Sequence, residues 1–305
     1  MKRRRGPRPA GRWAGLLTES RNRRSRALDT LPTPRVVGLL LDEDRRALAA
    51  AARVRAPIAR AAVLAARTLA AGGRIVFLGA GTSGRLGILE AAECPPTFGT
   101  DPDRIRAVMA GGPRAVFRAV EGAEDRAPDG ARQGRRLRRG DLLIGISASS
   151  VTPFVRGALR AARARRSGTV LVTCAPGPAL RRLADVVIVV RTGPEVLTGS
   201  TRLKAGSATK AVLNAITTAA MVRMGKAYEN LMVDLRPTSA KLEDRMRRIV
   251  SSAARVPPRE AARLLAAARG EVKTAIVMGR RRVGPEEARR RLARAGGRVR
   301  RALAR

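Results

Sequence analysis

From Arg74 onward, short apolar runs alternate with stretches of helical spacing. The runs are IVFLG at 75–79, IRAVMA at 105–110, LLIGIS at 142–147, TVLVTC at 169–174 and VVIVV at 186–190. Each is about strand length and mostly apolar, and helix-length connections between them predict a parallel five-stranded sheet covered by helices on both sides. Before Arg74, residues 36–71 are rich in Ala, Leu and Arg at helical spacing, with Pro57 as punctuation, which predicts a helical N-terminal region. Beyond Leu235, turns at Pro257-Pro258, Gly284-Pro285 and Gly296-Gly297 divide an Ala- and Arg-rich tail into short helices. Within it VKTAIVMG (272–279) could pass for a strand, but its helical flanks favour helix. The chain divides accordingly into a leader at 1–16, an N-terminal helical segment at 17–59, an α/β domain at 60–230 and a C-terminal helical domain at 231–305.

Polar clusters follow two of the strands. After Leu78, Gly81, Thr82, Ser83 and Gly84 form a turn that opens a helix, and backbone N–H groups at a helix start flanked by hydroxyls suit a phosphate. After Ile146, Ser147, Ser149, Ser150 and Thr152 precede a helix opening near Pro153. In open α/β sheets ligands sit beyond the carboxyl ends of the strands, where two such loops can face one crevice. A third segment, TGSTRLKAGSATK (198–210), adds Ser200 and Lys204, with Lys210 as a further cation on the following helix.

Composition narrows the chemistry. The 305 residues include no histidine, so acid–base work falls to carboxylates, Lys or Tyr. Two cysteines, Cys94 and Cys174, have no metal-ligand spacing, and both are expected to be small buried hydrophobes in a reducing cytoplasm. Lys and Arg number 63 against 24 acids, a formal charge of +39. That excess is overwhelmingly Arg, densest at the two ends and accompanied by abundant Ala. It reads as a global bias rather than a nucleic-acid footprint, and aromatics at 2% leave few rings for stacking on bases. No specific nucleic-acid partner is expected. The basic leader is not followed by an apolar run of signal-peptide length, and no segment approaches membrane-spanning length.

Among the acids, Glu93 stands out. Pro95 disfavours the α conformation at Cys94, so the helix opened by the 81–84 turn is expected to end near Glu93. There the negative end of the helix dipole favours the protonated carboxyl. Glu90, one turn earlier, is its bland counterpart. Glu121, Glu124 and Asp125 crowd one turn, and nothing in the residues alone selects among them.

Four segments together carry a resemblance. GAGTSGRLGILEAAECPPTFG (79–99), AGGPRAVFRAVEGAED (110–125), GPEVLTGSTRLKAGSATK (193–210) and NLMVDLRPTSAKL (230–242), in this order, resemble the N-acetylmuramic acid 6-phosphate etherases, which are related to the sugar-phosphate-responsive regulator of mammalian glucokinase. The likeness begins around Leu17, in LTESRN and LDTLPT. It implies a sugar isomerase (SIS) fold, with a doubly wound five-stranded parallel sheet, a helical N-terminal region and a small UBA-like C-terminal domain, assembled as a cytoplasmic homodimer. It also implies cofactor-free cleavage of a D-lactyl ether by elimination and water addition. Glu93 is then the acid assisting lactate departure and Glu124 the base at carbon 2, roles that could be exchanged. A non-catalytic sugar-phosphate sensor of the same fold is the alternative. One loop departs from the family: where it carries a sequence like ASGRTPY, this chain has Ala148-Ser149-Ser150-Val151-Thr152-Pro153-Phe154. It thereby loses a loop glycine and a guanidinium whose bond to an anion would contribute about 1.5–3 kcal/mol.

Overall fold

The computed structural model describes residues 16–177, 179–235 and 239–304. All but the last residue of the basic leader, and the Arg236-Pro237-Thr238 boundary, lie outside the described residues. The chain runs α1 (Thr33–Arg53), α2 (Arg55–Ala70), β1 (Ile75–Gly79), α3 (Gly81–Phe98), β2 (Ile105–Met109), α4 (Ala127–Arg135), β3 (Leu142–Ile146), α5 (Pro153–Ala164), β4 (Gly168–Thr173), β5 (Val186–Val189) and α6 (Lys204–Arg223). A two-stranded hairpin, β6 (Ala227–Tyr228) and β7 (Leu231–Met232), leads to α7 (Ala240–Ala254), α8 (Pro258–Ala267), α9 (Val272–Arg281), α10 (Pro285–Arg294) and α11 (Val299–Ala302). The VKTAIVMG segment is helical, as its flanks imply.

All five long strands are parallel, in the order β2-β1-β3-β4-β5. Alternation along β3 shows how both faces are covered. Leu142, Ile144 and Ile146 join one core with Phe77, Ala61, Ala65, Val212 and Ile216, beneath α2 and α6. Leu143 points the other way, into a second core with Val155, Ala158, Leu159 and Ala162 of α5. Alanine on the covering helices lets them approach closely, so an Ala-rich sequence still fills the space between helix and sheet. A third core, from Tyr228 to Ala302, makes the C-terminal helices a unit with its own interior. The boundary expected at 59/60 falls inside α2, whose Ala61, Ala65 and Ala66 belong to the sheet's core; the N-terminal helices are part of the α/β layer.

Helix α3 corrects the sequence reading. It does not stop near Glu93 but continues through Pro95 and Pro96 to Phe98, where Gly99 (φ 61°) caps it by donating to Pro95 O at 2.9 Å. Burial of Cys94 and packing of Phe98 on the core hold the last turn helical against the local proline preference. The helix-end field therefore acts at Phe98 and Gly99, a full turn beyond Glu93.

The N-terminal segment and α6 are locked by a buried ion pair. Lys204 Nζ lies 2.5 Å from Glu43 Oε2, with both side chains 4% exposed, and Asn22 Nδ2 donates to the same oxygen at 3.0 Å. Asn22 Nδ2 and Ser25 Oγ also reach the carbonyls of Pro194 and Val196, tying the strap before α1 to the loop that precedes α6. Burial alone would raise the Glu43 pKa, but the hydrogen bond and charge of Lys204, with Asn22 and Arg46, hold it below the ordinary value. A depressed carboxylate contributes stability that is complete above its unfolded pKa and is lost as pH falls through its folded pKa. Lys204→Met is expected to destabilise the protein by about 3 kcal/mol at neutral pH, because it leaves a buried carboxylate without its closest partner, with only the half-exposed Arg24 and Arg46 remaining at its other oxygen. Urea unfolding should show that deficit shrinking as pH drops below the carboxylate range.

Candidate active site

β1 and β3 are neighbours although the chain leaves them in opposite directions, so the turns at their carboxyl ends flank one crevice. The first turn depends on two missing side chains. A Cβ on Gly79 would lie 2.7 Å from Gly84 N, and one on Gly84 would lie 2.8 Å from Met109 Cγ and 2.9 Å from Gly79 O. The start of α3 is thereby seated directly on the end of β1. Its first intrahelical bond is Gly84 N to Ala80 O at 3.3 Å, which leaves the amides of Gly81, Thr82 and Ser83 as the open helix N-terminus. No side chain caps it, and Gly81 adopts a left-handed φ of 53°.

The second turn is internally bonded. Ser147 Oγ and Thr152 Oγ1 lie 2.8 Å apart, Val151 N donates to Ser149 Oγ at 3.4 Å, and Ser150 N donates to Ser147 O at 3.1 Å. Thr152 therefore does not cap α5; its hydroxyl faces its neighbour in the loop. Ser150, buried at 5% exposure, holds φ at 65°, a region where a side chain costs about 1–2 kcal/mol.

The third segment reaches the same region, since a Cβ on Gly206 would lie 3.7 Å from the methyl of Thr82. Ser200 is partly exposed there. The N-terminus of α6, however, is already filled: Glu195 accepts from Ala205 N at 2.9 Å and Lys204 N at 3.3 Å. Burial raises the pKa of Glu195 in spite of these bonds. Lys204 also departs from expectation as an anion ligand, because its ammonium is turned inward onto Glu43. Lys210, two turns along, faces a cavity instead.

The two expected catalytic carboxylates are not brought together within one chain. Glu124 is exposed on a single 3-10 turn and lines a small pocket of ≈ 160 Å³ with Gly81 and Arg85, beside the first phosphate turn. Arg85 is fixed there by donating to the carbonyls of Val116 and Ala115 at 2.7 and 2.9 Å. Glu93, also exposed, lines a different cavity of ≈ 390 Å³ between α3 and α6, with Glu90, Lys210, Asn214 and Thr217. Ten residues of helix separate Ser83 from Glu93, about 15 Å along the axis.

Sequence reasoning passed over Glu90. It is 8% exposed, accepts a short hydrogen bond from Thr217 Oγ1, and its pKa is raised by burial, with Thr217 and Lys210 opposing and the Glu93 charge adding to the rise. The one available signal was its place one turn before Glu93, on the same side of the helix.

An open parallel sheet with this strand order, a glycine turn opening α3 and hydroxyl loops at one crevice defines the SIS class of α/β domain. Residues 57–163 match the family described as the glucokinase regulatory protein N-terminal SIS domain. A phosphoheptose isomerase from Francisella tularensis superposes with a TM-score of 0.51 at 17% identity, covering 63% of this chain and all of that one, which speaks to the fold alone. Closer relatives settle the family. The chain is 50% identical over 268 residues to N-acetylmuramic acid 6-phosphate etherase of Mycolicibacterium smegmatis, spanning 87% of this chain and 90% of the relative. It is 47% identical over 265 residues to the same enzyme of Geobacillus thermodenitrificans, spanning 86% and 90%. The chain belongs to the N-acetylmuramic acid 6-phosphate etherase family.

Two measurements follow from the local geometry. Ser150→Gly relieves the left-handed strain at some cost in unfolded-chain entropy, so it should raise stability by about 0.5–1 kcal/mol in denaturant titration. Burial pushes the Cys94 thiol up to about 12 and the Cys174 thiol up to about 11. Neither should react with a thiol reagent at pH 8 until the protein is unfolded, whereupon both should.

Proposed function

We propose that this protein cleaves the D-lactyl ether of N-acetylmuramic acid 6-phosphate, a carbon–oxygen lyase reaction yielding N-acetylglucosamine 6-phosphate and D-lactate. The observation that carries the reading is the near-half identity to etherases along most of the chain, with Glu93 and Glu124 kept in their motifs. The sensor alternative has no comparable support.

The phosphate is assigned to the open amides of Gly81, Thr82 and Ser83, with the hydroxyls of Thr82, Ser83, Ser149 and Ser200 around it. Ser147, Ser150 and Thr152 shape the second loop, and Gly84 sets the first. In the ring-opened sugar, the Glu124 carboxylate removes the carbon 2 proton, acidified by the adjacent aldehyde. The electron pair forms the C2–C3 double bond as the C3–O bond breaks, and the Glu93 carboxyl protonates the departing lactyl oxygen. Water then adds to carbon 3, giving its proton to Glu93, while Glu124 returns a proton to carbon 2. Both carboxyls end as they began, with no cofactor and no histidine.

This assignment needs a second chain. A Glu93 some 15 Å along α3 from its own phosphate turn is too far for one hexose to bridge. The protein is therefore assigned as a homodimer in which Glu93 of one chain serves the sugar held by the Gly81–Gly84 turn and Glu124 of the other. Leu89, 45% exposed at the rim of the Glu93 cavity, and Leu41 and Leu48 on α1, exposed at 63% and 46%, supply apolar surface for such a contact. A cytoplasmic setting suits a substrate whose phosphate charge bars it from crossing a bilayer unaided.

Purified protein should release D-lactate from N-acetylmuramic acid 6-phosphate, and Glu93→Ala or Glu124→Ala should each lower kcat by about 10²–10⁴-fold. Refolding the two variants together should restore about one quarter of wild-type activity, because one site in each mixed dimer regains both carboxylates. A mixture as inactive as its parents would refute the shared site.

A further inference from the structure

The cavity around Glu93 contains a cation that the proton chemistry does not use. Lys210 on α6 is, among the described residues, the only positive group lining it, and it makes no ion pair within 4 Å among them. Its position is nonetheless set. In the Asn214 amide orientation that satisfies both neighbours, Lys210 Nζ donates to the amide oxygen at 2.7 Å and the amide nitrogen donates to Glu90 Oε2 at 2.7 Å. Thr217 Oγ1 holds the other Glu90 oxygen. An ammonium has three donors, so this chain fixes Lys210 while leaving two for a ligand. Glu90, with both oxygens already engaged by Thr217 and Asn214, anchors the Asn214 amide in this orientation.

We infer that Lys210 is a specificity-determining residue that binds the carboxylate of the departing alkoxy group. The inference rests on the assignment of Glu93 to the leaving oxygen. In a lactyl ether the carboxylate is borne by the carbon attached to that oxygen, so the group protonating the oxygen brings the carboxylate into its own cavity. Lys210 and Glu93 belong to one chain and one cavity, so they arrive together whichever chain's turn holds the phosphate. The charge-assisted bond would select ethers whose alkoxy arm ends in an acid, and Asn214 is the positioning residue behind it.

Calorimetric titration of the full-length protein separates this role from phosphate binding. D-lactate is titrated into protein saturated with N-acetylglucosamine 6-phosphate, and D-lactamide serves as the uncharged control. Wild type should bind D-lactate and not D-lactamide. Lys210→Met should weaken D-lactate by about tenfold or more with sugar-phosphate affinity unchanged, which also reports that the variant is folded, and Lys210→Arg should recover much of the loss. Asn214→Leu should give a smaller loss of the same kind. In turnover, Lys210→Met should lower kcat/KM for the lactyl ether and leave it unchanged for the corresponding lactamide ether. Equal D-lactate affinity in wild type and Lys210→Met, or an equal loss of sugar-phosphate affinity, would overturn the inference. A wild-type protein that binds sugar phosphate but no D-lactate would do the same. Absence of any sugar-phosphate binding by wild type would instead refute the functional reading, and the inference with it.

Discussion

The contact on which the rest of the structure depends is the seating of α3 on the end of β1. Gly79 and Gly84 meet there at distances no side chain would permit, and a Cβ on either would force helix and strand apart. That closeness points three unpaired amides into the crevice between β1 and β3, where the positive end of the helix acts over a short range. Everything assembled around the crevice answers the same demand. Helix starts gathered at one end of a sheet need negative charge or hydrogen-bond acceptors, and the chain meets that need in two ways. At α6 it supplies its own anion, Glu195, held at 1% exposure against the amides of Lys204 and Ala205. At α3 it supplies none, and that difference is the basis for assigning an anionic ligand there.

A chain with a formal charge of +39 might be expected to bind a phosphate with arginine. Some of its arginines are occupied elsewhere. Many form ion pairs one turn apart on exposed helix faces, as Arg290 and Arg291 do with Glu287, or Arg248 with Asp244. Such pairs contribute little to stability. Arg85 instead braces the backbone at Val116, and Arg74 pairs with the Asp141 carboxylate.

Much of the fold was legible because the signals were local. The five strands are short, largely apolar runs, and their limits in the structure fall within two residues of those read from the sequence. The hydroxyl turns were legible because their composition is unusual. What escaped were features decided over long distances. Pro95 and Pro96 argue for a helix end, yet burial of Cys94 and the Gly99 cap carry α3 onward. Lys204 and Lys210 look alike in TRLKAGSATK. Only a glutamate 161 residues away turns the first inward, and only an amide four residues on directs the second to the cavity. Glu90 was judged bland because nothing near it in sequence reveals Thr217 and Asn214 across the interhelical gap.

The altered second loop follows the same logic. Ser150 keeps the left-handed backbone that a glycine would adopt freely, with its amide still bonded to Ser147 O, so the loop's path survives at the cost of local strain. Strain retained in this way implies that surrounding contacts over-determine the path, and those contacts are visible: Ala148 O accepts from both Cys174 N and Thr173 Oγ1 at the end of β4, and Phe154 is buried beneath the loop. What the replacement of the family's glycine–arginine pair removes is therefore a donor rather than a shape. The crevice keeps its geometry and its open amides at α3, so under the proposed assignment the loss falls on how tightly the phosphate is held, while the proton transfers proposed at carbons 2 and 3 are left to Glu93, Glu124 and the proposed pairing of chains.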